Sequence, residues 1–388
     1  MRDQRLLFLD VFRGLAVLWM IETHVFEAGL APVWRSGWFF HAVYLSNGFV
    51  AQAFAFAAGA GFWLATEASP DLRNVRAAVF WRYVRRLAFL FLCGLWLNMD
   101  PFSLDHFRNA GPEGQAVTWQ FDILHLIAFT AFVSLLLHLA AGRFSRRHWV
   151  YGVLALAVFL ATPLVWRARL GEVLPLALGL PLMPIPPSKF PVFPWAGYFL
   201  AGVFLMGLLM RSRRPERSAA ILAVVAAASP FALFWIKGWN FTYPGMSGPW
   251  ADWYPSPGHS LFRLGGVALV FALLFLLEKR LSAQGPAVGF LRLNGQESLW
   301  MFVSHIILVY GSSYTVGLID LSGKRLEPLA VAGATVFITA VCFAPAAIWH
   351  AFKQDHRDRA FAVLCFAVAA AAAVFAVAPA NLSRGGLP

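Results

Sequence analysis

The sequence predicts an all-α fold: a polytopic transmembrane bundle of about 11 helices, forming one integral-membrane domain over residues 1–388 with its N-terminus in the cytoplasm. Four observations lead there. The chain is 60% hydrophobic and only 13% charged, where soluble domains carry about 25% charged residues. Its mean hydropathy is +0.65. Apolar runs of about 17–25 residues, the length a bilayer demands, recur along the whole chain. Basic residues concentrate in alternate gaps between those runs, as the positive-inside rule requires.

The runs lie near 6–26, 39–66, 78–98, 117–140, 148–166, 190–210, 218–236, 260–278, 297–316, 328–351 and 360–378. Gly, Pro and polar residues mark most gaps. The second and tenth runs exceed a simple span, so they are expected to tilt or extend past the membrane. With the N-terminus inside, about 20 of the 31 basic residues fall on the cytoplasmic side and about nine outside, which accounts for much of the net charge of +12 without nucleic acid. Asp10 and Arg13 interrupt the first run and no small-residue cleavage site follows, so it is not read as a cleavable signal. Cys93, Cys342 and Cys365 sit inside apolar runs and form no disulfide or metal pattern, so no metal is expected. No repeat or second soluble domain is apparent. The larger outer loops, 98–115, 175–191 and 237–259, are expected to build an extracytoplasmic vestibule.

The first run is unusual. "LDVFRGLAVLWMIETHVF" (9–26) carries Asp10, Arg13, Glu22 and His24. Each ionised group deep in hydrocarbon costs at least about 2.5–3.5 kcal/mol, so such residues point to function. Eleven residues separate Arg13 from His24, about 1100° of helix, so the two share a face about 16 Å apart along the axis. Asp10 lies three residues before Arg13 on the same side. One stripe therefore carries an Asp/Arg pair at its inner end and a titratable imidazole at its outer end. The alternative is that the pair holds neighbouring helices and His24 sits in the interface.

These residues carry a resemblance. Arg13, ten residues and His24 resemble the Arg-x10-His signature of the acyltransferase-3 branch of the transmembrane acyltransferase superfamily. Arg82 and Arg85 in "FWRYVRR" (80–86) resemble that branch's cytoplasmic Arg-x-x-Arg, and "AFAFAAGAGFWL" (53–64) looks like its second-helix segment. "FPVFPWAGYFLAGVFLMG" (190–207) and "LRLNGQESLWMFVSHIILVY" (291–310) are more like the heparan-α-glucosaminide N-acetyltransferase-like branch, which includes many bacterial proteins. The resemblance covers roughly residues 5–310.

It implies acyl transfer across a membrane, in a bacterium the inner membrane. Acetyl-CoA or another acyl-CoA would be the cytoplasmic donor, and a carbohydrate hydroxyl or amine the acceptor on the far side. In the lysosomal branch an Asn stands where this chain has His24, and a His before the second helix is assigned to catalysis. His41 in "FFHAVYLSNG" matches that His, with two extra residues before Asn47-Gly48. The base is thus His24, His41 or both; an imidazole suits proton transfer near neutral pH. Glu22 could orient one ring or face water.

Arg82, Arg85 and Arg86 at the inner entry of the third run share a helix face and suit phosphate binding, although inner loops carry Arg in any case. Asp122 and His125, three apart, could form a second polar pair. Ser298 and His305 lie seven apart near one face of the ninth run, and a mid-membrane His needs a partner. Trp239, Tyr243, Trp250, Asp252, Trp253 and Tyr254 would suit a sugar or form an ordinary aromatic belt. No Walker loop, Rossmann glycine motif or serine-hydrolase elbow is present. Expected partners are membrane lipid and the acceptor, with a homo-oligomer open. The competing readings are a transporter or flippase for a glycan-type substrate, and a non-catalytic scaffold; no clear inverted repeat supports transport.

Overall fold

The computed structural model describes residues 6–99, 101–140, 147–170, 173–182, 188–230, 256–281, 285–312 and 314–378. The loop aromatics from Trp239 to Tyr254, and most of the second half of the expected 218–236 helix, lie outside the described residues. The described chain is helical, with isolated bridges and no named strand among those residues. Seven of its helical stretches are long and apolar enough to cross a bilayer: Gly37–Ala68, Ile123–Ala140, His148–Arg167, Val192–Arg211, Pro257–Arg280, Pro328–Asp355 and Arg357–Val377. Several leave large apolar side chains uncovered, among them Val153, Leu156, Leu160 and Leu164 on one and Val336, Phe337 and Ile348 on another. Such surfaces suit hydrocarbon rather than water. The protein is an integral membrane protein.

The residues group into two compact units. The first comprises Met1–Leu9, Ala51–Leu95 and Trp119–Leu281. At its centre helix Val192–Arg211 runs as an almost fully buried rod. Its glycines allow that: Gly202 lies against the Phe56 carbonyl, and Gly59 of helix Val50–Ala68 lies reciprocally against the Phe199 carbonyl. A methyl group at either position would overlap backbone, so the two helices meet main chain to main chain, as small residues permit in membranes. Phe159 of helix Arg147–Arg167 lays its ring on Gly197, where an added methyl group would overlap that ring. Glu278 accepts from the backbone N–H groups of Leu7 (2.9 Å) and Phe8 (3.4 Å), so a remote carboxylate satisfies the opening donors of the first helix.

The second unit comprises Asp10–Val50, Trp96–Thr118 and Ser282–Pro388. Four of its helices matter for the site: α1 (Leu7–Gly29, whose residues from Asp10 on belong here), α2 (Gly37–Asn47), α3 (Pro286–Gln296) and α4 (Ser298–Tyr310). A fifth, α5 (Pro328–Asp355), packs on α4. The α1–α3 contact repeats the glycine device, with Gly14 against the Leu291 carbonyl and Gly295 against the Asp10 carbonyl. Arg35 closes the end of α1, its guanidinium donating to the carbonyls of Glu27 (2.7 Å) and Leu30 (3.1 Å).

Three boundaries differ from the sequence reading. The expected 39–66 helix is interrupted at residues 48–49 by a turn, so within the stretch Gly37–Ala68 α2 is a distinct element without a buried residue. The expected 117–140 helix begins at Ile123, because Asp122 Oδ1 accepts from the N–H groups of Leu124 and His125, both at 2.9 Å, and fixes the start there. The expected 297–316 helix ends at Tyr310, where Gly311 adopts a φ of +74° that glycine tolerates and other residues resist.

Candidate functional site

The polar face of α1 is built within the second unit. Near its start, Asp10 is 2% exposed. Its Oδ2 accepts from Gln296 Nε2 at 2.9 Å, and its Oδ1 lies 4.0 Å from Arg13 Nη1, the outer limit of an ion pair. The expected Asp10–Arg13 pairing is therefore present but long, and the shorter contact comes from the last residue of α3. Three positions along α3, Leu291, Gly295 and Gln296, thus fix the first turns of this face.

Farther along, Asn47 at the end of α2 accepts from Trp19 Nε1 at 3.0 Å. Glu22 is half-buried on the same stretch of helix. Next comes His24, half-buried, whose Nδ1 lies 2.8 Å from Nε2 of the fully buried His305 on α4. The two ring planes are 9° apart. His305 Nδ1 in turn lies 2.8 Å from the carbonyl oxygen of Met301, one helical turn earlier. Tyr310 at the end of α4 meets the His24 ring edge to face at 5.6 Å. His24 is thus clasped between two residues of α4.

The hydrogens can be assigned along this chain. A carbonyl oxygen only accepts, so His305 Nδ1 carries a hydrogen. In the neutral ring Nε2 then bears the lone pair and accepts from His24 Nδ1–H. Neutral His24 is left with its lone pair on Nε2, the nitrogen capable of taking a proton.

The other expected residues stand as follows. His41 is exposed on α2; its Nδ1 donates to the Gly37 carbonyl at 2.6 Å, and its ring contact is with Phe40, so both stay on its own helix. Ser298 opens α4 and its hydroxyl makes no hydrogen bond among the described residues. In the first unit, Arg82, Arg85 and Arg86 are exposed on helix Ala78–Asn98, and none of the three is ion-paired among the described residues. Also there, His125 is buried, its Nδ1 2.8 Å from Asp122 Oδ1. Phe91 packs at 4.4 Å from that ring, and Gly94 leaves it room. The pair is thus first of all a helix-capping device. No group of three or more potential metal ligands is assembled among the described residues.

Sequence reasoning missed Gln296, Met301 and Tyr310. Gln296 lies within the segment 291–310, but nothing in one sequence pairs it with Asp10, 286 positions away. A mid-membrane His305 needs a partner, and that partner is His24.

A family model described as heparan-alpha-glucosaminide N-acetyltransferase, catalytic, matches residues 5–236. That range holds Asp10, Arg13, His24, His41, the three arginines, Asp122 and His125, and leaves Ser298 and His305 outside. No curated protein matches the chain. The match covers more than half of the 388 residues, and the chain belongs to the heparan-alpha-glucosaminide N-acetyltransferase family, a family of membrane acetyltransferases.

Proposed function

We propose that this protein moves an acetyl group from acyl-CoA, reached from the cytoplasm, to an amine or hydroxyl of a carbohydrate on the opposite side of the membrane. The observation that carries the reading is the polar face of α1, held in a family of acetyltransferases, with His24 presenting a lone pair at Nε2. Acetyl transfer forms an N–C or O–C bond, breaks the thioester C–S bond and moves one proton from the acceptor to the departing sulfur. An imidazole can take that proton at Nε2 as the acceptor attacks and return it to the thiolate. General-base assistance of this kind contributes about 10²–10⁴-fold.

His24 is the base in this proposal because it is the better held of the two candidates. His41 Nε2 also bears a lone pair, since its Nδ1 donates to Gly37, but its ring is anchored only within a short exposed helix. Asp10, Arg13 and Gln296 shape the inner stretch of the face. Arg82 and Arg85, exposed and without an ion-pair partner among the described residues, are the proposed contacts for the phosphates of CoA, with Arg86 beside them. The cytoplasmic N-terminus expected from the basic loops puts these arginines on the donor side. A bacterial inner membrane is the proposed location.

Calorimetry with acetyl-CoA on the full chain in detergent tests the donor. Micromolar binding lost in Arg82→Ala/Arg85→Ala and retained in His24→Ala/His41→Ala supports the reading. No binding by the wild-type chain at millimolar acetyl-CoA overturns it in favour of transport.

A further inference from the structure

We propose that His305 is a positioning residue that sets which nitrogen of His24 reacts: α4 reads out a backbone carbonyl and passes its direction through two imidazoles to the face of α1. The proposal rests on the acetyl-transfer reading for its consequence, but its geometry stands apart from it.

Each link has one direction. The Met301 carbonyl sits one turn before His305 on a regular helix, so its oxygen is fixed by main chain and cannot rotate to donate. His305 is fully buried and flanked by Phe302 at 5.7 Å, so its ring is confined. With Nδ1–H committed to Met301, only Nε2 can meet His24, and it meets it as an acceptor at 2.8 Å. The ring planes are near-parallel and the centroids lie 5.0 Å apart, close to the 2.8 Å N···N gap plus the radii of the two rings, so the His24 Nδ1–H points toward the His305 lone pair. Tyr310 against the His24 ring limits its rotation about the remaining torsion. A lone imidazole in water samples both tautomers; this one is biased to carry its hydrogen on Nδ1 and its lone pair on Nε2. The same logic, an oriented acceptor behind a general base, lets a carboxylate fix the tautomer in hydrolase triads. Here a neutral acceptor does it, which avoids placing a further carboxylate beside the two rings in an apolar bundle.

No motif of the family match contains this residue, because the match ends at residue 236. The consequence is a division of labour: residues inside the matched segment would carry the chemistry, and α4 beyond it would set its protonation geometry.

The test uses the full chain in lipid nanodiscs with nitrogen-15-labelled histidine. Histidine ring spectra above the titration of His24 should show its Nδ1 protonated and its Nε2 not. In His305→Leu the His24 signal should become a tautomer mixture. Acetyl transfer from acetyl-CoA to glucosamine should fall by about 10²–10⁴ in kcat with KM little changed, the range for a base in the wrong tautomer or unassisted. His305→Gln can set its Oε1 near the place of the imidazole Nε2 and accept from His24, so it should restore the single tautomer and bring kcat to within about tenfold of wild type. A wild-type His24 with the lone pair on Nδ1 overturns the proposal whatever the activity. So does His305→Leu with unchanged tautomer and unchanged kcat. A correct tautomer without any acetyl transfer overturns the acetyl-transfer reading instead and leaves the relay standing.

Discussion

Gln296 Nε2 donates to Asp10 Oδ2 at 2.9 Å across the contact of α1 with α3, and the contact rests on two glycines. Gly14 faces the Leu291 carbonyl and Gly295 faces the Asp10 carbonyl, each with no room for a methyl group. The approach of two backbones is thus what brings an amide within reach of a buried carboxylate. Gly14→Ala should push the helices apart by overpacking, with a cost of about 1–3 kcal/mol. Gly295→Ala should act alike, and the pair should be less than additive because both relieve one contact. Thermal unfolding of the purified variants in detergent checks this. Wild-type stability in both variants would mean that α1 and α3 do not meet main chain to main chain.

His24→Ala should lower kcat for acetyl transfer by at least about 10²-fold while leaving acetyl-CoA binding intact, because the base is lost and the donor contacts are not. His41→Ala should stay within about tenfold of wild type, since its contacts are confined to an exposed helix. Steady-state rates with acetyl-CoA and glucosamine distinguish the two. A reversed order, with His41→Ala the more damaged, would move the base to α2.

Arg82→Ala/Arg85→Ala should raise KM for acetyl-CoA by about tenfold or more with kcat changed less than about twofold. Phosphate contacts made equally in ground and transition state affect binding alone. Raising ionic strength should erode wild-type binding and narrow that gap, because these guanidiniums are exposed. A fall in kcat at unchanged KM would place these arginines in the chemistry and refute a purely donor-binding role.

Much of the fold was legible in the sequence because hydrocarbon imposes one rule on every spanning segment: a long apolar run that satisfies its own backbone. Helices such as Val192–Arg211 and Pro328–Asp355 follow from that rule directly. Boundaries set by a single side chain or torsion were harder. Asp122 starts its helix by accepting two backbone hydrogen bonds, and Gly311 ends α4 by its positive φ; neither changes the apolar pattern. The polar face of α1 was readable because Asp10, Arg13 and His24 are costly where they stand and recur on one side of a helix. Their partners were not. Gln296 and His305 follow α1 by more than 250 positions, and pairing across that distance is decided by tertiary packing, to which periodicity is blind.

Glu297, at the junction of α3 and α4, is 5% exposed and accepts from His350 Nδ1 (2.6 Å) and Lys353 Nζ (2.6 and 2.7 Å), both on α5. The Lys353 side chain is about a third exposed, so solvent screens its charge and the pair is worth less than a fully buried one. Breaking it still leaves a cation beside a site that no longer neutralises it. Glu297→Gln should therefore lower stability by about 1–3 kcal/mol, read as the unfolding midpoint in detergent. Lys353→Met alone should cost a similar amount, because the buried carboxylate loses its strongest donor. The double variant should cost less than the two singles together, by about 1 kcal/mol or more, since neither charge is then stranded. Because α4 carries His305, Glu297→Gln should also lower acetyl transfer, whereas the double variant should recover part of it. Single costs that add to within about 0.5 kcal/mol would show that Glu297 and Lys353 act independently, and that α5 does not hold α4 through this contact.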